Sequence, residues 1–178
     1  PIGDTLPLLL SLDAKIIIQG INKKKILPLS QFFIAYRKTK LKKGEFIYSI
    51  RIPLDKKNIF KAYKISKRFD DDISSVCGSF SFLIKRNIIM KASIAYGGMS
   101  EIPKRAKTIE KDLINSKFSE NTFSRAVNLI DKDFSPLDDM RASRNYRLTV
   151  AKNLLLKAFY EIENKKNIRI HSWKMKNY

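Results

Sequence analysis

An α+β fold follows from two patterns in this 178-residue chain and from the break before them. From Phe60 to Tyr96 apolar residues recur with period two, the spacing of half-buried strands. From Lys107 to Ile162 they recur every three to four positions, the spacing of helices with one buried face. Ahead of both, residues 53–58 join a proline to a charge cluster and mark a boundary. The expectation is a small mixed α/β unit over residues 1–55, then a three-stranded antiparallel sheet covered by three helices over 58–165. A basic tail over 166–178 ends the chain.

In chain order, residues 1–4 read as a turn into a short helix over 6–12, with Thr5 as N-cap. Residues 14–19 are a β-branched run closed by Gly20 and Asn22, a buried strand, and 25–29 form its hairpin partner. Ser30 is placed to cap a brief helix through Tyr36 that turns Phe32, Phe33 and Tyr36 inward. Residues 45–52 alternate, with Phe46, Tyr48 and Ile50 on one face and Ile47, Ser49 and Arg51 on the other. The second unit has strands over 60–68, 79–86 and 88–96, the last two joined by a tight turn at Arg86-Asn87. Phe80, Phe82 and Ile84 share a face, as do Ile88, Met90, Ala92, Ile94 and Tyr96. Helices over 107–115 and 121–130, and a long one capped by Ser143, supply the cover. Their apolar stripes are Ile109 with Leu113, Phe123 with Val127 and Ile130, and Tyr146 through Ile162.

Composition excludes several classes. Cys77 is the sole cysteine, so the chain offers neither an internal disulfide nor a cysteine cluster for zinc or iron–sulfur; its apolar surroundings make it a small buried hydrophobe. His171 lies in the basic tail without a carboxylate or cysteine nearby and reads as a surface residue. No apolar run approaches the roughly 20 residues of a membrane span, so no membrane partner is expected. The chain opens on Pro1 rather than methionine, and the true N-terminus is expected upstream. The net charge of +19 raises a nucleic-acid-binding module as an alternative. The lysines, however, are spread through nearly every element and no recognition module is visible, so weak, salt-sensitive binding without specificity is expected.

The densest chemistry lies in Lys64-Ile65-Ser66-Lys67-Arg68-Phe69-Asp70-Asp71-Asp72-Ile73. A strand runs into basic residues, an aromatic and three carboxylates, with no glycine or proline to make it a simple turn. Adjacent like charges repel, so neighbouring cations, a following helix N-terminus or a ligand must offset the aspartates. One reading is a solvated loop in which Asp71 or Asp72 caps a segment over 73–76. Gly97-Gly98 allows either a close backbone approach or a plain turn after its strand.

This stretch resembles the flavin-loop segment of the molybdenum hydroxylase flavoproteins, the xanthine dehydrogenase small subunits in particular. Three more segments agree in order and spacing: Pro1-Ile2-Gly3-Asp4-Thr5, Ile94-Ala95-Tyr96-Gly97-Gly98-Met99 with Pro103-Lys104-Arg105-Ala106, and Asp139-Met140-Arg141-Ala142-Ser143 with Tyr146-Arg147. The resemblance implies that residues 1–55 are the C-terminal remnant of an α/β FAD-binding domain and that 58–165 are the flavoprotein's C-terminal domain. It implies FAD as cofactor, through Asp4, Ile47 and Lys64, with Arg68 and Asp71 beside the isoalloxazine where their charges tune the flavin and the approach of NAD. Phe69 stands where animal members carry a basic residue, as in the bacterial small subunits. No catalytic acid, base or nucleophile is assigned.

The function so implied is electron transfer from 2Fe-2S clusters through FAD to NAD in a cytoplasmic xanthine-dehydrogenase-type enzyme of purine catabolism. The molybdenum cofactor would sit on a large partner subunit, and the iron–sulfur and pyrophosphate-binding regions would lie upstream. An inactive truncated fragment is the further alternative. If the resemblance holds, Asp4, Ile47, Lys64 and the 68–71 loop converge on one cleft, with the strand over 60–64 running alongside or close to that over 45–52.

Overall fold

A computed structural model describes residues 3–69 and 71–163; the expected tail, with His171, lies outside them. The first unit comprises α1 (Thr5–Ser11), β1 (Lys15–Gln19), β2 (Lys24–Pro28), a 3-10 turn (Leu29–Gln31), β3 (Phe33–Ala35), β4 (Lys38–Thr39) and β5 (Phe46–Arg51). There follow β6 (Ile59–Ile65), β7 (Val76–Lys85), β8 (Ile88–Gly97), β9 (Lys104–Arg105), α2 (Lys107–Leu113) and α3 (Glu120–Ala126). A second 3-10 turn (Val127–Leu129), α4 (Ile130–Asp133) and α5 (Arg144–Ile162) complete the described chain. Strands pair antiparallel in the orders β2-β1-β5, β3-β4 and β6-β7-β8-β9.

The β7–β8 hairpin forms where the alternation places it. Arg86 and Asn87 both take positive φ, 48° and 61°, the geometry whose twist matches the strands it joins. The register then shifts: Leu83 pairs with Lys91 but Ile84 with Ile89, so Met90 is the extra residue of a bulge. An inserted residue inverts the facing of everything beyond it. Ile89 is therefore buried and Met90 is 46% exposed, against the expectation that Ile88 and Met90 share the inner face.

Four further expectations need correction. The sheet has a fourth strand, because Lys104 and Arg105 pair with Tyr96 and Ala95. The helix expected over 121–130 tightens at Val127–Leu129 and resumes as α4, which brings the buried Asp133 carboxylate onto the amides of Thr108 (3.0 Å) and Ile109 (3.2 Å) at the start of α2. The helix expected from Ser30 to Tyr36 is a 3-10 turn followed by a hairpin. The aromatic and β-branched run pairs as β3, Lys40 N–H reaches Phe32 O at 2.9 Å, and Tyr36 sits exposed at the tip. Finally, β6 stops at Ile65 rather than Arg68, because Ser75 N–H donates to Ile65 O at 2.8 Å and closes a loop there.

Helices cover one face of the larger sheet. Phe80, Phe82, Ile94 and Tyr96 meet Leu113, Phe123, Phe134, Leu155 and Phe159. Tyr96 is edge-on to Phe80 and Phe134, and its hydroxyl donates to Ala151 O at 2.8 Å. The opposite face of β7 and β8 carries small side chains in paired positions, Ser79 with Ala95 and Ser81 with Ser93, all buried. Helix α1 lies against these two strands, with the Ser11 and Ser79 hydroxyls 2.6 Å apart. Leu10, Ile16, Ile18, Leu29, Phe32 and Ala95 form the second core.

A charged cluster joins the units at this seam: Arg105 meets Asp13 (2.5 Å) and Glu110 (2.6 Å), and Lys91 meets Asp13 (2.9 Å). Burial acts to raise the Asp13 carboxyl, but the hydrogen bonds and charges of Lys91 and Arg105 outweigh it and hold the group below its ordinary value. Strand β5 is different in kind. It forms an edge of its sheet, and Phe46, Ile47, Tyr48 and Ile50 are exposed on both of its faces. No helix among the described residues is long and apolar enough to cross a membrane.

Candidate functional site

Asp4 holds the N-cap position of α1 but makes no side-chain cap. Its carboxylate is committed elsewhere: it accepts the Ser74 hydroxyl and lies 2.8 Å from Lys64 Nζ. Lys64 sits near the end of β6, opposite Cys77 of β7, and also donates to Asp72 O at 2.6 Å. Residues 70 positions apart in sequence are gathered because α1 crosses the back of β7 just where β6 gives way to the loop.

The ion pair leaves a clear electrostatic imprint. The hydrogen bond from Lys64 to Asp4 raises the ammonium above its ordinary value, against the opposing effect of desolvation. Cys77, beside the pair, is pushed up to about 12, chiefly by burial and then by the Asp4 charge. That thiol is neutral at physiological pH and is no nucleophile, as its apolar setting suggested.

The loop beyond Ser66 folds on itself. Asp72 Oδ2 accepts from Arg68 N–H and Asp72 Oδ1 from Ile73 N–H, both at 2.9 Å, and the Arg68 guanidinium lies 3.6 Å from Asp72. These backbone hydrogen bonds, Arg68's first, hold the Asp72 carboxyl below its ordinary range. Asp72 therefore pins a turn and caps no helix, because residues 73–75 are irregular and β7 starts at Val76. Asp71 occupies the left-handed region (φ 49°) and is exposed, as is Arg68. The loop also leans on the stretch before α5: Lys67 Nζ donates to Met140 O at 2.6 Å and the Ser75 hydroxyl to Arg141 O at 3.3 Å.

Asp4, Lys64 and the loop bearing Arg68 and Asp71 are thus contiguous. Ile47 is not drawn into that cluster by any described contact. It lies on β5, paired with Ile18, whereas β6 pairs with β7 in the other sheet, so the two strands do not run side by side.

Two features went unassigned in the sequence. Ser74 and Ser75 carry the loop's return contacts but look like ordinary linker residues. Arg147, quoted only as part of a motif, is 2% exposed in the first turn of α5. It donates through Nη1 to Ser75 O and to Gly98 O (2.9 Å) and through Nη2 to Asp139 Oδ1 (2.6 Å). Its signal in the sequence is an arginine set among the apolar residues of a core helix. Arg147, Gly98, Asp139 and Arg141 line one side of a cleft of about 800 Å³, with Tyr36 of the first unit also at its wall. Chemically, the cluster offers an acceptor carboxylate and an exposed cation side by side, next to a charged loop with a fixed base.

A family model described as the CO dehydrogenase flavoprotein C-terminal domain matches residues 61–162, and one described as the FAD binding domain in molybdopterin dehydrogenase matches residues 1–55. The chain is 32% identical over 139 residues to a xanthine dehydrogenase of Emericella nidulans, covering 76% of this chain and 10% of that protein. It is 30% identical over 165 residues to a glyceraldehyde dehydrogenase medium chain of Sulfolobus acidocaldarius, covering 91% of this chain and 57% of that one. Among solved structures, the reconstituted CO dehydrogenase from Oligotropha carboxidovorans matches with a TM-score of 0.83 at 20% identity, over 92% of this chain and 57% of that chain. A carbon monoxide dehydrogenase from Hydrogenophaga pseudoflava gives 0.82 at 19%, over 89% and 56%. These two likenesses show the fold. The chain spans between about a tenth and somewhat over half the length of these curated relatives. The two family matches make the conclusion plain: the chain belongs to the flavoproteins of the CO dehydrogenase and molybdopterin dehydrogenase family.

Proposed function

We propose that this chain forms one wall of an FAD site and serves electron transfer in a xanthine-dehydrogenase-type molybdenum hydroxylase. The observation that carries the reading is the convergence of Asp4 and Lys64, from opposite sides of the unit boundary, on the base of the 66–75 loop. The pair fits the cofactor: a carboxylate accepts hydroxyl hydrogen bonds from a ribityl or ribose diol, and a half-exposed ammonium meets a carbonyl or phosphate oxygen. FAD, when bound, supplies the exchange between one-electron and two-electron transfer. The chain's own residues bind and orient it. Asp4 and Lys64 hold the cofactor, Ile47 offers an apolar contact from β5, and Arg68 and Asp71 set the charge at the flavin end. A carboxylate there disfavours an anionic reduced ring and an arginine favours it, so the two govern potential and access for NAD.

The remaining parts belong to the rest of the assembly: residues 1–55 act as part of the FAD-binding domain and 58–165 as its C-terminal companion. Iron–sulfur and pyrophosphate-binding regions lie upstream, and a large subunit holds the molybdenum cofactor. The apolar, two-faced exposure of β5 supports this, since a strand apolar on both faces suits the interior of a larger sheet. FAD titration, followed by flavin fluorescence, tests the reading on this chain alone and on this chain joined to the N-terminal part of the Sulfolobus medium chain. The joined form should bind FAD and the isolated chain should bind it poorly. In the joined form Lys64→Met should weaken FAD binding about tenfold, the worth of one charged hydrogen bond. In the full-length protein with its partner subunits, Asp71→Ala should change NAD reduction more than FAD content. FAD affinity indifferent to both Asp4→Asn and Lys64→Met would overturn the site.

A further inference from the structure

We infer that Arg147 is a positioning residue for the flavin site, fixing the 66–75 loop and, through Ser75 and Ser74, the Asp4 carboxylate. The inference rests on the flavin reading for its functional part and on geometry for the rest. A guanidinium buried to this depth is costly unless its hydrogens are used. Arg147 uses Nη1 and Nη2 on three acceptors from three segments, Ser75 O on the loop's return arm, Gly98 O on the turn leaving β8 and Asp139 Oδ1 before α5, while its buried Nε has no hydrogen-bond partner among the described residues.

Two of the three acceptors are themselves held. Asp139 Oδ1 also accepts from Arg141 N–H (2.8 Å) and Ala142 N–H (3.1 Å), so the carboxylate is oriented before it meets the guanidinium. Ser75 is tied to Ile65 through its amide and to Arg141 through its hydroxyl. Gly98 admits the arrangement, since a Cβ there would collide with Ser75 O and stand 3.1 Å from Arg147 Nη1. The support is rigid, because α5 is anchored in the core by Ala151, Leu154, Leu155 and Phe159.

From Arg147 the route to the site is short. Its hydrogen bond sets the Ser75 carbonyl, the neighbouring Ser74 hydroxyl donates to Asp4, and Asp4 meets Lys64. Arg147 touches none of the candidate cofactor contacts directly, so its action on them is through the loop. A lysine carries the charge but lacks the planar fork, and cannot serve three acceptors in these directions.

Hydrogen exchange on the chain itself tests the hold, and FAD titration of the joined form tests its consequence. In Arg147→Met the amides of Arg68, Ile73 and Ser75 should exchange about tenfold faster or more through local opening, at rates insensitive to low denaturant, while Phe82, Ile94 and Leu155 change only with global stability. FAD should bind about tenfold more weakly in Arg147→Met, with Arg147→Lys falling between it and wild type, each titrated well below its own unfolding midpoint. Asp139→Asn, which keeps the volume, should accelerate the same loop amides by less than Arg147→Met does. Unchanged loop protection in Arg147→Met, or loop exchange that only follows global stability as the core amides do, would overturn the positioning role. So would FAD affinity that follows only the unfolding midpoint. Failure of the flavin reading is separate: Asp4→Asn and Lys64→Met would then leave FAD affinity untouched, while loop exchange still decides what Arg147 holds.

Discussion

Replacing Gly98 by alanine asks how much of the site's geometry depends on a missing side chain. Gly98 has φ +79° and so does Gly44, but their surroundings differ. At Gly44 the only neighbour of an added Cβ is a flexible Ile21 terminus 4.0 Å away. Gly44→Ala therefore isolates the conformational penalty, about 1–2 kcal/mol for a non-glycine residue in the left-handed region. At Gly98 the same penalty applies, and the Cβ meets a backbone carbonyl, Ser75 O, that cannot swing aside as a side chain would. Relief requires the loop to retreat and the Arg147–Ser75 hydrogen bond to break, about 1.5–3 kcal/mol for a charged donor. Gly98→Ala should thus cost about 3–5 kcal/mol in all. At about 2–4 °C per kcal/mol for a domain of this size, the unfolding midpoint should fall by about 10 °C, against about 4 °C for Gly44→Ala. Urea and thermal unfolding of the two variants side by side provide the measurement. Equal losses in the two would refute the claim that the turn after β8 is shaped around the Ser75 carbonyl.

Two more outcomes are expected. Asp133→Ala leaves the Thr108 and Ile109 amides without their carboxylate, and Ala106 at the N-cap position supplies no substitute, so urea unfolding should show a loss of about 2 kcal/mol or more; a change within about 0.5 kcal/mol would mark the contact as incidental. Burial acts to raise the Asp139 carboxyl, but the amides of Arg141 and Ala142 and the Arg147 guanidinium outweigh it and hold the group below its ordinary value. A lowered folded value contributes stability that is present above the unfolded value of about 3.9 and lost as pH falls through the folded one. Loop amides should therefore lose protection below about pH 4 in the wild type, where protonation of Asp72 also releases the Arg68 and Ile73 amides, and the part of that acid limb due to Asp139 should be missing in Asp139→Asn; identical profiles would remove Asp139 from the loop's support.

The fold was legible where a local rule and the tertiary structure agree. Arg86-Asn87 is a turn in sequence and in space, and Ser143, read as a cap, accepts from Tyr146 N–H at 3.3 Å. Legibility failed where pairing decided the matter. Met90 fits the apolar alternation of β8 perfectly well, and only the partner strand's register makes it a bulge. Phe32, Phe33 and Tyr36 suit a helical face equally well, and the hairpin follows from hydrogen bonds to residues 38–40 that no local pattern announces. The site divides in the same way. Asp4, Lys64 and the 68–71 loop were picked out by resemblance and do lie together, whereas Ile47 stands in the other sheet. Ser74, Ser75 and Arg147 owe their importance to long-range contacts alone, which periodicity and propensity do not encode.

The paired small residues on the back of β7 and β8 bear on how this chain could be divided or recombined. The sequence splits naturally near Pro53, and a gene could be cut there without interrupting a strand. Yet Ser79, Ser81, Ser93 and Ala95 form a shallow trough shaped for a helix that lies on the far side of that cut. A stand-alone unit starting at Asn58 would show this trough to water and leave Lys64 and Ser74 without Asp4. Each half is thus the complement of the other's interior surface, and an exchange of one half between relatives obliges a refitting of α1. Inheritance of the two as a pair is the arrangement this packing favours.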